Sequence, residues 1–401
     1  MARALLDSGA VELGIIATAG VTHFTRRDYG QVQQWLVPAG VRADLDGLPP
    51  ARLLKGIVDA VAEFSPDVVH TWGTEGCWGL LSARGIIKHR ALLDTQGLKG
   101  MIARVFDGGL SPLEQFACTG FKELVRGSTI PQVKRRFRRW KRFEDEIIAG
   151  HRFITTQSPW LEAQVRAVNP GGKIFANDFL LRAPFYSSAE WARSGAPTIF
   201  CSAAYPAPFK GLHVAIRALS HLRRRMPDVR MRIAGELRRP GVRQDGYVSW
   251  LIREAERLGV NQRVDWIGPL TAKALVAELQ AAAVVVIPTY VEGYCLALAE
   301  AMSVGVPAVV AFVGGTSHLG KNEETCLFFP PGDEVMCASQ IERVLRDTTL
   351  ASRLSRNGRQ VSQVRNEPRH VIEMQLTIYR TVLAAGNTSP GHLAGTGKNP
   401  E

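Results

Sequence analysis

Residues Ala281 to Gly315 set two apolar, β-branched runs on either side of one short helix-forming stretch, and few folds accommodate that order. The runs AAAVVVIP and VPAVVAFVGG have no polar face, so each suits a strand buried on both sides of a parallel sheet. Between them, TYVEGY reads as a short loop and LALAEAM is rich in helix formers. Gly305, with Pro307 two residues on, ends the helix. The unit predicts an α/β fold. From Ala196 onward strand-like and helix-like segments alternate, which predicts a parallel sheet with helices on both faces.

The loop also carries chemistry. Where a strand passes through a tight loop into a helix, unpaired N–H groups and the helix dipole converge on a place for an anion. Gly293, Tyr294, Cys295 and Leu296 occupy that place. Glu292 stands in the loop and Glu300 in the helix, at the level where a carboxylate suits the vicinal hydroxyls of a ribose. A lone helical glutamate is usually solvated. Glu300, however, is flanked by Ala299, Ala301 and Met302 in a helix apolar all round, and a carboxylate there needs a partner.

The spacing from Glu292 to Glu300, followed by Ala301-Met302, Gly305, Pro307, Val309 and the pair Gly314-Gly315, resembles the nucleotide-sugar site of retaining GT-B glycosyltransferases of the group 1 type. The pattern of Asn169-Pro170, Leu180-Leu181-Arg182, Phe185-Tyr186 and Trp191 is similar to a bacterial subgroup of these enzymes. The resemblance implies two Rossmann-like domains facing a central cleft. It implies transfer of a sugar from a nucleoside diphosphate sugar to a glycan, lipid-linked or small-molecule acceptor with retained configuration, as in polysaccharide biosynthesis. It implies no cofactor and no metal. Glu292 would orient the transferred sugar, Glu300 would hold the ribose, Lys210 the diphosphate, and the loop after Gly268 the base.

Several positions depart from the family pattern. Ala204 stands where relatives carry an arginine, and Thr316-Ser317-His318 where many carry an acid. Gln96 replaces a loop histidine; its amide donates and accepts hydrogen bonds but does not titrate. The acceptor-side candidates are therefore Gln96, Gly97 and His70. Lys210 at a helix start wants an anion nearby, either the donor diphosphate or a buried pair with Glu292 or Glu300. A sugar-nucleotide-binding scaffold, or epimerase or phosphorylase chemistry, are the alternatives.

At 401 residues the chain exceeds the usual single domain. The expected division is an acceptor domain over 1–190, a Pro- and Ser-punctuated linker near 182–195, and a nucleotide-sugar domain over 196–366. By resemblance, a helix over 369–385 packs back on the first domain; the Gly/Pro/Thr-rich tail 386–401 reads as disordered. The chain opens on a short helix, without the buried strand and glycine-rich turn that start a doubly wound domain. A truncated or late start is the favoured account, and loss of the strand the other. Asp44-Leu45-Asp46 matches a metal-binding DxD pattern, but its Gly/Pro-rich surroundings read as a turn.

The six cysteines are scattered without a CxxC pair, which fits a reducing cytosol. No apolar run approaches the roughly 20 residues needed to span a bilayer, so the expectation is a cytoplasmic protein, soluble or peripheral. The net charge of +12 favours anionic partners. Much of it lies in KRRFRRWKR, within 133–148, where Val133, Phe137, Trp140, Phe143 and Ile147 form one apolar stripe. Two readings stand: a helix lying on an anionic membrane surface, or a domain helix whose stripe faces the core. With no accompanying binding module, nucleic acid is not expected as a partner.

Overall fold

The computed structural model describes residues 1–41, 43–193, 195–235 and 246–385; Glu236 and the tail 386–401 lie outside them. In the N-terminal half, β1 (Gly14–Ala19), β2 (Thr25–Arg26) and β3 (Gln33–Pro38) form a sheet in the order β1-β3-β2. A second, parallel sheet runs in sequence order through β4 (Val68–Trp72), β5 (Arg90–Asp94), β6 (Phe153–Thr156) and β7 (Lys173–Ala176). The chain enters β1 directly from the helix Ala2–Asp7. Among the described residues β1 pairs only with β3 and β4 only with β5, so these seven strands make two sheets. The helix Ala51–Phe64 packs on both, its Ile57 and Val61 meeting Ile16 of β1 and Val69 of β4.

The C-terminal half adds β8 (Thr198–Ser202), β9 (Arg230–Ala234), β10 (Val264–Gly268), β11 (Val284–Ile287), β12 (Ala308–Ala311) and β13 (Leu327–Phe329). They form one parallel sheet in the order β10-β9-β8-β11-β12-β13. The two apolar runs that constrain the fold are β11 and β12. Every residue of both is buried, and Val285 pairs with Ala308. A fully buried valine contributes roughly 1.5–3 kcal/mol, so this strand pair anchors the half.

The two halves share a core. Phe106, Leu110, Cys118 and Ile130 belong to the same apolar cluster as the C-terminal sheet. Gly108, at φ +59°, lies so close to the Pro208 carbonyl that a Cβ would overlap it, and its own oxygen bonds His213 Nε2 at 2.9 Å. The last helix, Pro368–Ala384, lies on the second sheet. Its Tyr379 hydroxyl meets His70 Nδ1 at 2.8 Å, and Asn177 donates to its Gln375 at 2.6 Å.

The basic helix, Ile130–Ala149, turns its stripe inward. Val133 and Phe137 join the C-terminal cluster, Phe143 and Ile147 an N-terminal one, and the Trp140 indole donates to the Thr74 carbonyl at 2.9 Å. Of the two readings of this helix, its apolar stripe takes the one that faces the core, while Arg135, Arg136, Arg138, Arg139 and Arg142 are exposed. Asp44 to Leu48 form a turn, with the Leu48 amide donating to Asp46 at 3.0 Å.

Candidate functional site

The loop after β11 is held from below by glycines. Gly314 and Gly315 lie flat on the Glu292-Gly293 peptide: a Cβ at Gly314 would overlap the Glu292 carbonyl, and one at Gly315 the Gly293 carbonyl. The Gly315 amide donates to the Glu292 oxygen at 2.9 Å. Cys295 enters the helix Leu296–Val304 at φ +87°, an uncommon conformation for a side chain-bearing residue, and Gly305 leaves it at φ +90°. The first helical hydrogen bond is donated by Leu298 to Cys295, so the amides of Leu296 and Ala297 precede the ladder.

Close packing also places Lys210. Gly211, at φ +70°, presses on the Pro288 carbonyl at the end of β11, where no Cβ would fit. The Tyr290 amide donates to the Phe209 oxygen at 2.8 Å, lacing the two loops together. The Lys210 ammonium consequently stands 2.6 Å from Glu292 Oε1. Burial pulls the Lys210 pKa down, but the carboxylate overrides it, and the net shift is upward. The site therefore holds a fixed positive charge beside a carboxylate.

Glu300 has its partner in Arg182, whose Nη2 and Nε donate to Oε1 at 2.7 and 3.1 Å. Burial raises the Glu300 pKa and Arg182 opposes it, leaving it raised. The Tyr294 ring points away from the loop: its hydroxyl donates to Asp178 at 3.2 Å and accepts from Asn366 at 2.9 Å, and burial pushes it up to about 12. Cys295 is buried, with its thiol raised well out of reach of ionisation by desolvation. Leu296 is partly exposed at the helix start, and Gly268 closes β10 at φ +75° with open space around it.

The N-terminal half meets this loop directly. Gln96, itself at φ +40°, sets its carbonyl so close to Gly293 that a Cβ there would overlap it. The Ser158 hydroxyl donates to the Gly293 oxygen at 2.7 Å. Glu292, Lys210, Gly293, Gln96 and, next in chain, Gly97 are thus brought together. His70 is not among them: it stacks on Trp72, binds Tyr379, and burial lowers its pKa to about 3.

Four residues escaped the sequence reading. Arg182 was assigned to the linker, and Ser158 had no local signal. Glu75, in the Gly-Thr-Glu-Gly turn after β4, abuts Gly97; burial raises its pKa, and nearby backbone N–H groups and Lys99 oppose this. Asp94, at the end of β5, is raised to about 7 by burial; it accepts from Thr155 and Gln157 at 3.1 and 3.0 Å. A carboxylate at a strand end beside Gln96 was a readable cue.

Residues 187–361 match the family model described as "Glycosyl transferases group 1". This segment, less than half of the chain, resembles a group 1 glycosyl transferase domain. It contains Lys210, Glu292 and Glu300, whereas Arg182 lies just ahead of it. Glycogen synthase of Mycobacterium tuberculosis (strain ATCC 25618 / H37Rv) is 35% identical over 151 residues, 38% of this chain and 34% of that protein. The chain spans about a third of the length of the first curated relatives it matches. Sucrose-phosphate synthase from Thermosynechococcus elongatus superposes with a TM-score of 0.70 at 18% identity, over 95% of this chain and 92% of that one. HepE from Anabaena, solved in complex with UDP-glucose, gives 0.61 at 17% identity, over 84% and 85%. The fold is GT-B, and the group 1 match falls in its C-terminal half.

Proposed function

We propose that the protein is a metal-independent glycosyltransferase that moves a sugar from a nucleoside diphosphate sugar to an acceptor hydroxyl with retention of configuration. The observation that carries this reading is the Lys210–Glu292 pair, 2.6 Å apart within the segment that matches the group 1 model, with Gly293, next in chain to Glu292, packed against the Gln96 carbonyl. The UDP-glucose complex of HepE supports a nucleotide sugar as the donor class.

In this reading the donor diphosphate lies over the amides of Leu296 and Ala297, with Lys210 at its leaving oxygen. The bond from the anomeric carbon to that oxygen breaks as the bond to the acceptor oxygen forms on the same face. The acceptor proton passes to the leaving phosphate oxygen. Lys210 stabilises the negative charge that grows there, and Glu292 fixes the ammonium and orients the sugar hydroxyls. Glu300, shared with Arg182, accepts the ribose hydroxyls. Gln96, Gly97 and Glu75 face the acceptor, for which a glycan or lipid-linked molecule on the cytoplasmic side fits the family.

The test is a panel of nucleotide sugars incubated with soluble acceptors, the first-formed glycoside being read by nuclear magnetic resonance. An anomer matching the donor is expected. An inverted anomer would overturn the mechanism, and sugar 1-phosphate formed from a glycan acceptor only when inorganic phosphate is added would indicate phosphorolysis instead.

A further inference from the structure

Two short helices of the N-terminal half, Pro112–Ala117 and Phe121–Arg126, are built inside out. Their acids point inward. Glu114 pairs with Arg217, and Glu123 is buried, accepting from the Gly120 and Gly246 amides at 2.9 and 3.3 Å. Their large apolar side chains point outward: Leu113, Phe116, Phe121, Leu124 and Val125 are between 61% and 81% exposed. A folded chain normally does the reverse, and exposed apolar clusters of this kind mark a surface with a partner.

The chemistry of the partner follows from shape and charge. Side chains so exposed stand off the surface and do not line a groove, so a bilayer, which needs no complementary shape, suits them. No outward acid lies among them, and Arg126 adjoins them. Only three residues separate the second helix from the basic helix Ile130–Ala149. There Arg135, Arg138, Arg139 and Arg142 recur at helical spacing on the exposed face, opposite the stripe that packs inward. Arg135, Arg136, Arg138 and Arg139 have no acidic partner among the described residues, whereas Lys134 and Lys141 do. Apolar side chains at the acyl boundary and arginines at headgroup level are the two signals that together hold a protein on a membrane. No helix among the described residues is long and apolar enough to cross one.

We infer that residues 112–126, with the arginine face of 135–142, form a docking surface for an anionic lipid bilayer, into whose interface Leu113, Phe116, Phe121, Leu124 and Val125 insert. None of these side chains belongs to the candidate site, and the inference stands whether or not the chain transfers sugars.

The experiment is flotation of the full chain with vesicles of phosphatidylglycerol and phosphatidylcholine, against vesicles of phosphatidylcholine alone. The wild type should float with the anionic vesicles only. The variant Phe116→Ser/Phe121→Ser/Leu124→Ser should lose at least about tenfold in partition with its melting temperature kept, since the altered side chains are solvent-facing. Arg135→Gln/Arg138→Gln/Arg139→Gln should lose roughly fivefold per charge removed. Wild type that stays with the protein-only fraction overturns the inference, as does a serine variant that floats equally well. So does light scattering showing a dimer that the serine variant dissolves, with no vesicle binding by wild type; the patch would then join two copies.

Discussion

At the scale of residues, Glu300 is the most informative position. Its partner is Arg182, 118 residues away in sequence, and no local pattern announces such a pair. What the sequence could show was the need for a partner, because a carboxylate in an apolar helix is costly to leave alone. In the proposed ribose role this carboxylate is shared with Arg182. Glu300→Ala should weaken nucleotide binding by roughly tenfold to a hundredfold, as loss of hydrogen bonds to a charged group implies. Arg182→Ala removes the influence that holds the Glu300 pKa down against burial. In that variant the ionised carboxylate should be lost at a higher pH as the solution is acidified, so nucleotide affinity should fall earlier on the acid side than in wild type. Titration calorimetry across acid to neutral pH checks both. Unchanged affinity in Glu300→Ala would remove the ribose role.

At the scale of elements, the site rests on backbone-to-backbone contact more than on side chains. Gly315 has an ordinary backbone conformation, so a substitution there is opposed by contact, first with the Gly293 carbonyl and then with the Ser158 hydroxyl. Gly315→Ala should destabilise the fold by about 1–3 kcal/mol, the usual cost of overpacking, and lower turnover at temperatures where it stays folded. Gly171→Ala, with nothing near its Cβ position, is the matched control and should be close to neutral. Denaturant melts and initial rates together check this.

The strands β11 and β12 and the helix between them were legible, because continuous β-branched runs around a helix-forming segment admit few arrangements. The basic helix was legible as an amphipathic element. Where its stripe would go was not, since that depends on Trp140 finding the Thr74 carbonyl 66 residues earlier in the chain. The inverted helices at 112–126 were missed altogether. Six residues span less than two turns, too few for periodicity to separate an outward apolar face from an inward one.

At the scale of the whole molecule, two α/β halves meet around one loop. The likeness to sucrose-phosphate synthase over 95% of the chain places both halves in a GT-B fold, while the group 1 match covers only the second. The alternation of strands and helices revealed two such halves. It did not reveal the sharing of a core across them through Phe106, Leu110 and Ile130, or the contacts of Gln96 and Ser158 with Gly293, which join residues far apart in sequence. Those contacts place the Gln96 loop against Gly293, next in chain to the Lys210–Glu292 pair, and the proposed mechanism has Lys210 act there on the departing phosphate. The direct measurement is nucleoside diphosphate released per enzyme, with the best donor and acceptor of the panel, for wild type and Lys210→Ala. A loss of about 10²–10³ in turnover is predicted, the usual effect of removing one charge-stabilising donor; turnover within about threefold of wild type would contradict the account.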